Sequence, residues 1–118
     1  MTARATLPAK RTGESFVIEY PPKSATFFRV QVSEYPDGQL GEVFINGAKP
    51  NSSIDNVASD IAILISLLLQ HGAAAAAIGH ALRRNPDGTR ASIAGVVVDA
   101  LSALDRGEQP DMVRGARS

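Results

Sequence analysis

The sequence predicts an α+β fold: a small antiparallel β-meander of about three strands, followed by three helices of which the long central one is strongly apolar. Three observations predict it. Phe28, Val30 and Val32 alternate with Arg29, Gln31 and Ser33, the period-two pattern of a half-buried strand. Tyr35-Pro36-Asp37-Gly38 is turn chemistry set between two β-rich runs. The run Ile61 to Leu69, broken by Ser66, closes on His71-Gly72 as a helix does. At 118 residues the chain has the size of one domain, and 44% hydrophobic residues suffice for a single core.

The elements follow in order. Phe16-Val17-Ile18-Glu19-Tyr20 has the β-branched and aromatic content of a strand, and Pro21-Pro22 ends it. Ala25 to Glu34 forms the second strand and Leu40 to Ile45 the third, which Asn46-Gly47 closes. Pro50-Asn51-Ser52-Ser53 offers helix caps, with Ser52 three residues before Asp55 in a capping-box arrangement. The first helix then runs from about Ser53 to Gln70. Its later turns are apolar almost all round, so it must be covered on more than one side. A sheet this small covers one face; the later helices and a second subunit are expected to cover the rest. Ala73 to Leu82 makes a short alanine-rich helix, and Arg83-Arg84 bring positive charge to its negative end. Asn85-Pro86-Asp87-Gly88 is a turn, and the third helix extends from Ala91 or Ser92 to Leu104, with Gly95 a weak spot or a close-packing point. The expected organisation is a basic disordered arm over 1–13, one domain over 14–105 and a flexible tail over 106–118.

Charge and composition narrow the function. Twelve basic and twelve acidic residues balance to zero, which argues against binding nucleic acid. The arm carries Arg4, Lys10 and Arg11 before the first acid, Glu14, a weak sign of a tethered contact. The chain has no cysteine, which removes disulfides, thiolate nucleophiles, zinc–cysteine sites and iron–sulfur clusters. The N-terminal residues lack the apolar run of a secretory signal, and the longest apolar run is short for a bilayer. A cytoplasmic protein that does not enter a membrane is the expectation.

Candidate chemistry is sparse. His71 and His80 lie across a predicted helix break with no carboxylate within a turn of either, so no metal site is expected. Glu34, Asp37 and Glu42 flank the hairpin. Glu42 shares the parity of Leu40 and Phe44, and either takes a buried position with a partner such as Arg29 or reaches water through a bulge or edge. Arg83, Arg84 and Arg90 bracket the Pro86-Asp87-Gly88 turn beside the start of the third helix, where free amides and arginines could hold a phosphate. Capping and solubility explain the same arginines.

Two segments carry a resemblance. Ser33-Glu34-Tyr35, Asp37-Gly38 and Leu40-Gly41-Glu42-Val43-Phe44-Ile45 are similar to a hairpin reading Gly-Glu-Tyr, Asp-Gly and Leu-Gly-Glu-Ile-Phe-Ile. Ala62-Ile63-Leu64-Ile65-Ser66-Leu67-Leu68-Leu69-Gln70-His71-Gly72 is similar to Ala-Ile-Ala-Ile-Ser-Leu-Gly-Leu-Gln-Tyr-Gly, sharing Ser66, Gln70 and Gly72. Both belong to the TSCPD domain, the C-terminal accessory region of vitamin B12-dependent ribonucleotide reductases. The chain departs from that pattern at Leu64 and Leu68, which are larger than the family's small residues. It also has Asp87-Gly88-Thr89-Arg90-Ala91-Ser92 where the family's cysteines fall.

Without cysteines or the catalytic barrel this chain cannot be a reductase alone. The resemblance implies a non-catalytic accessory or regulatory domain that binds a partner protein such as a reductase, or a nucleotide; no cofactor is expected, and the all-round apolar helix beside a small sheet leads us to expect a homodimer. Two alternatives stand beside it. One is a small enzyme of nucleotide metabolism using Glu34, Glu42 or Asp87 with the arginines; the other is a structural interaction protein unrelated to nucleotides.

Overall fold

A computed structural model describes residues 13–37, 39–47 and 52–108. The expected arm over 1–13 and tail over 106–118 lie almost wholly outside these residues, as do Gly38 and the cap candidates Pro50 and Asn51. The elements are β1 (Gly13–Glu19), β2 (Phe27–Glu34), β3 (Leu40–Gly47), α1 (Ser53–Gln70), α2 (Ala75–Ala81) and α3 (Ile93–Asp105). The strands form one antiparallel sheet in the order β1-β2-β3, the expected meander.

The sheet has one buried face because its alternation is in register across all strands. Phe16 stands opposite Val30, Ile18 opposite Phe28, Val30 opposite Ile45 and Val32 opposite Val43, and each of these residues is buried. A bulge intervenes at the start of β3: Ser33 pairs with Glu42 but Glu34 pairs with Leu40, so Gly41 is the extra residue. The bulge lets Leu40 share the inner face with Val43 and Ile45 and sends Glu42 and Phe44 to the other side. Glu42 thus sits through a bulge on the outer face, and Arg29, opposite Asn46, is two same-face rows away from it.

The helices cover the inner face. Ala58, Ala62, Ile65 and Leu69 of α1 join the core with Ile93, Val97, Val98, Ala100 and Leu101 of α3. Ser52 caps α1, its Oγ accepting from the Asp55 amide at 3.2 Å. At the other end Gly72 takes φ +96°, with the Ala73 amide bonded to Leu68 O and the Gly72 amide to Leu69 O, a Schellman ending. Tyr20 at the end of β1 donates its hydroxyl to Arg90 O at 3.0 Å, fastening the sheet to the loop before α3.

Coverage of α1 departs from expectation in one respect. Helix α3 meets it over only a short stretch, and Ile54, Val57, Ile63, Leu64 and Leu68 remain exposed. By length and composition α1 could cross a membrane, with 18 residues and a mean hydropathy of 1.4, yet its inner side is packed on the sheet.

Candidate functional site

Of the residues shared with the reductase accessory region, Gly41, Ser66 and Gln70 meet at the open edge of β3. As the last strand of the sheet, β3 turns a row of backbone groups away from β2, and such a row invites another strand to pair. Helix α1 occupies that edge instead. The Val43 amide donates to Ser66 Oγ at 2.8 Å, and the same hydroxyl donates back to Val43 O at 3.1 Å. One turn further, Gln70 Nε2 donates to Gly41 O at 2.8 Å. Near the other end of the helix Asp55 Oδ1 accepts from the Gly47 amide at 2.8 Å. A hydroxyl can both donate and accept, so one serine satisfies both edge groups of Val43. Ser66 and Gln70 are buried and lie one above the other on the same helix face.

The remaining motif positions serve the hairpin. Asp37 Oδ1 accepts from the Gln39 amide at 3.0 Å, and the Tyr35 amide donates to Gln39 O at 2.8 Å. Gly41 is the bulge and Gly72 the helix ending. The ring of Tyr35 is half-buried, and among the described residues its hydroxyl meets no hydrogen-bond partner. Glu34 continues the inward series of β2, whereas Glu42 points outward, so the two carboxylates do not face one another across the hairpin. Gly38 is outside the described residues.

Beside this fastening runs a groove of about 420 Å³, walled by Val43, Phe44 and Ile45 on one side and by Ala62, Ile63, Ser66 and Leu67 on the other. Its volume falls within the range of ligand sites and its lining is mainly apolar. No local pattern of residues announces it, because the groove depends on where α1 settles against the strand.

The expected phosphate-binding arginines separate. Arg90 is buried and engaged on every side: Nε and Nη2 donate to Asp99 at 2.9 and 2.7 Å, and Nη1 donates to Gly79 O at 2.9 Å. Its stem lies so close over Gly95 that a Cβ there would come within 2.6 Å of Cδ, which makes Gly95 a close-packing point. The bidentate bonds from Arg90 hold the Asp99 carboxyl below its ordinary range, with burial opposing, and raise the guanidinium's own value. Arg84 lines the same polar pocket of about 550 Å³ with Arg90, His80, Asp99 and Ser102, and donates to Gly88 O at 2.8 Å. Arg83 is exposed and is not among the residues walling that pocket. The pocket therefore holds one arginine whose charge is matched by Asp99 and a second tied to its own turn. Asp99, essential to this arrangement, lies nine residues from Arg90, a separation that gives no local signal.

Asp87 belongs to the turn as well. Its Oδ1 accepts from the amide and the hydroxyl of Thr89, and these bonds, the hydroxyl's first, hold its carboxyl below the usual range. None of Glu34, Glu42 and Asp87 lines the arginine pocket. His71 is the C-cap residue of α1, and its Nδ1 lies 2.8 Å from Leu67 O. His80 is exposed on α2. Among the described residues no group of three or more histidine, aspartate or glutamate side chains could hold a metal ion.

These features define a class: a small α+β module in which buried polar side chains fasten a helix to the open edge of a sheet. The chain matches the family model described as the TSCPD domain over residues 5–105, and it belongs to that family. Searches of curated proteins and of solved structures returned no match.

Proposed function

We propose that this chain is a non-catalytic accessory domain of the cytoplasm that acts by binding a partner protein, as its likeness to the C-terminal region of vitamin B12-dependent ribonucleotide reductases implies. One observation carries the reading. The residues it shares with that region, above all Ser66, Gln70 and Gly41, are engaged in fastening α1 to β3 rather than in presenting reactive groups. The carboxylates of the enzyme alternative support this too, since Glu34 and Glu42 take opposite faces and Asp87 is held by Thr89. What the domain offers to a partner is surface, the groove along β3.

Calorimetric titration with the catalytic chain of a B12-dependent reductase from the same source tests it. Saturable binding is the expected result, with no turnover of nucleotides by the domain alone. Turnover abolished by alanine at Glu34, Glu42 or Asp87, without loss of folding, would refute it.

A second reading, nucleotide binding, rests on Arg84, His80 and Ser102 sharing the polar pocket. Its signature is a rise in thermal midpoint with ribonucleotides or deoxyribonucleotides. A ligand at 100 times its dissociation constant adds about 2.7 kcal/mol, a shift of roughly 10 °C for a domain of this size. Loss of that shift in Arg84→Ala would move the function to this pocket.

A further inference from the structure

Ile54, Val57, Ile61, Leu64 and Leu68 recur along α1 at alternating spacings of three and four residues, the pattern of a coiled-coil seam. Helical geometry gathers them into one stripe about 21 Å long. Most of the stripe lies outside the core: Ile54 is 59% exposed, Val57 58%, Leu64 60% and Leu68 46%, while Ile61 between them is half-buried and packs against the core. It is also distinct from the groove. Ile63 and Leu67, which wall the groove, lie on the opposite flank of α1. Leu64 and Leu68 are the two positions where this chain replaces the small residues of the sequence it resembles, and both fall on the seam.

We infer that α1 pairs with α1 of a second copy of this chain along the seam Ile54, Val57, Ile61, Leu64 and Leu68, forming a homodimer that leaves the β3 groove open. Area supports a second copy. The exposed seam residues offer on the order of 400 Å² of apolar surface, the size of the largest patch on a typical protein, which is often a functional one. Two such seams, with flanking Ser53 and Asp60, bury on the order of 1,000 Å², about the least that a specific interface needs. Composition supports it as well. The seam carries no charged or hydrogen-bonding side chain to select a different protein, and an apolar core is the mark of homodimer interfaces. Seam matches seam because the best complement to a three–four spacing is another, and every copy carries one.

Charge favours a protein over a lipid surface. Helices that lie on membranes carry lysine or arginine on their polar face. From Ser53 to Gln70 α1 has neither, and its charged residues are Asp55 and Asp60.

Sedimentation equilibrium of the full chain at micromolar concentration tests the proposal, with circular dichroism to confirm folding. The expected mass is that of two 12.4 kDa chains. Val57→Glu and Leu64→Glu, placed at positions already open to water, are expected to fold and to weaken association by about 100-fold or more. Ile63→Glu, in the groove wall, is expected to leave the dimer intact. A monomeric wild-type chain would overturn the proposal. So would a dimer that survives both seam variants, or one that Ile63→Glu alone dissociates. Wild-type monomers that float with phosphatidylcholine–phosphatidylglycerol vesicles, and lose that binding in Leu64→Glu, would assign the seam to lipid and overturn it equally. None of these outcomes alters the titration with a reductase chain, so failure of the dimer is separable from failure of the accessory role.

Discussion

Ser66 shows how a single side chain closes a sheet. Removing its hydroxyl leaves the Val43 amide and carbonyl without the partner that now satisfies both. Ser66→Ala is expected to cost about 1–3 kcal/mol in urea denaturation, the range for stranding buried polar groups. Tyr35 gives the opposite expectation. Its hydroxyl is buried without a partner among the described residues, so Tyr35→Phe is expected to hold stability or raise it by up to about 1 kcal/mol. A loss of more than that would reveal a bond to the phenol.

Asp99 supplies a pH dependence with a definite sign. Bonds from Arg90 depress its carboxyl in the folded chain, so the stabilisation is complete above the unfolded value, near 4, and is lost as pH falls through the folded value. Denaturation midpoints of Asp99→Asn are therefore expected to fall less steeply than wild type on acidification below about pH 4. An identical acid slope would contradict the assignment. None of these partnerships was legible in the sequence. Ser66 and Gln70 stood out only through resemblance, because their partners are backbone atoms of a strand more than twenty residues away. Arg90 read as a phosphate ligand because nothing local announced Asp99.

At the scale of elements the sequence was far more legible. The bounds of α1 follow from Ser52 and Gly72, local signals that tertiary packing did not override. Gly72→Ala forces a side chain into φ +96° and is expected to cost about 1 kcal/mol, measurable as a lower thermal midpoint. An unchanged midpoint would mean that the chain ends α1 in another way. Strand β1 begins earlier than its apolar residues indicate, since Gly13, Glu14 and Ser15 are exposed and join the sheet through backbone pairing with β2. Strict alternation placed Glu42 with Leu40 and left burial and a bulge as alternatives. The bulge at Gly41 resolves them by shifting the parity.

Across the whole molecule, three strands and α1 form one fastened unit, and α2 and α3 are joined to it through the core and through Tyr20 and Arg90. An apolar helix such as α1 is expected to be covered on more than one side, yet the later helices cover little of it and its outer residues stay exposed. A groove runs along β3, and the exposed apolar stripe of α1 lies on another flank of that helix.

Amide hydrogen exchange of the domain, alone and mixed with the catalytic chain of a B12-dependent reductase, tests the binding role most directly. Added protection is expected in β3 and α1, around Phe44, Ile45, Ile63 and Leu67. No protection anywhere, or protection confined to the Arg84–Arg90 turn and α2, would contradict it.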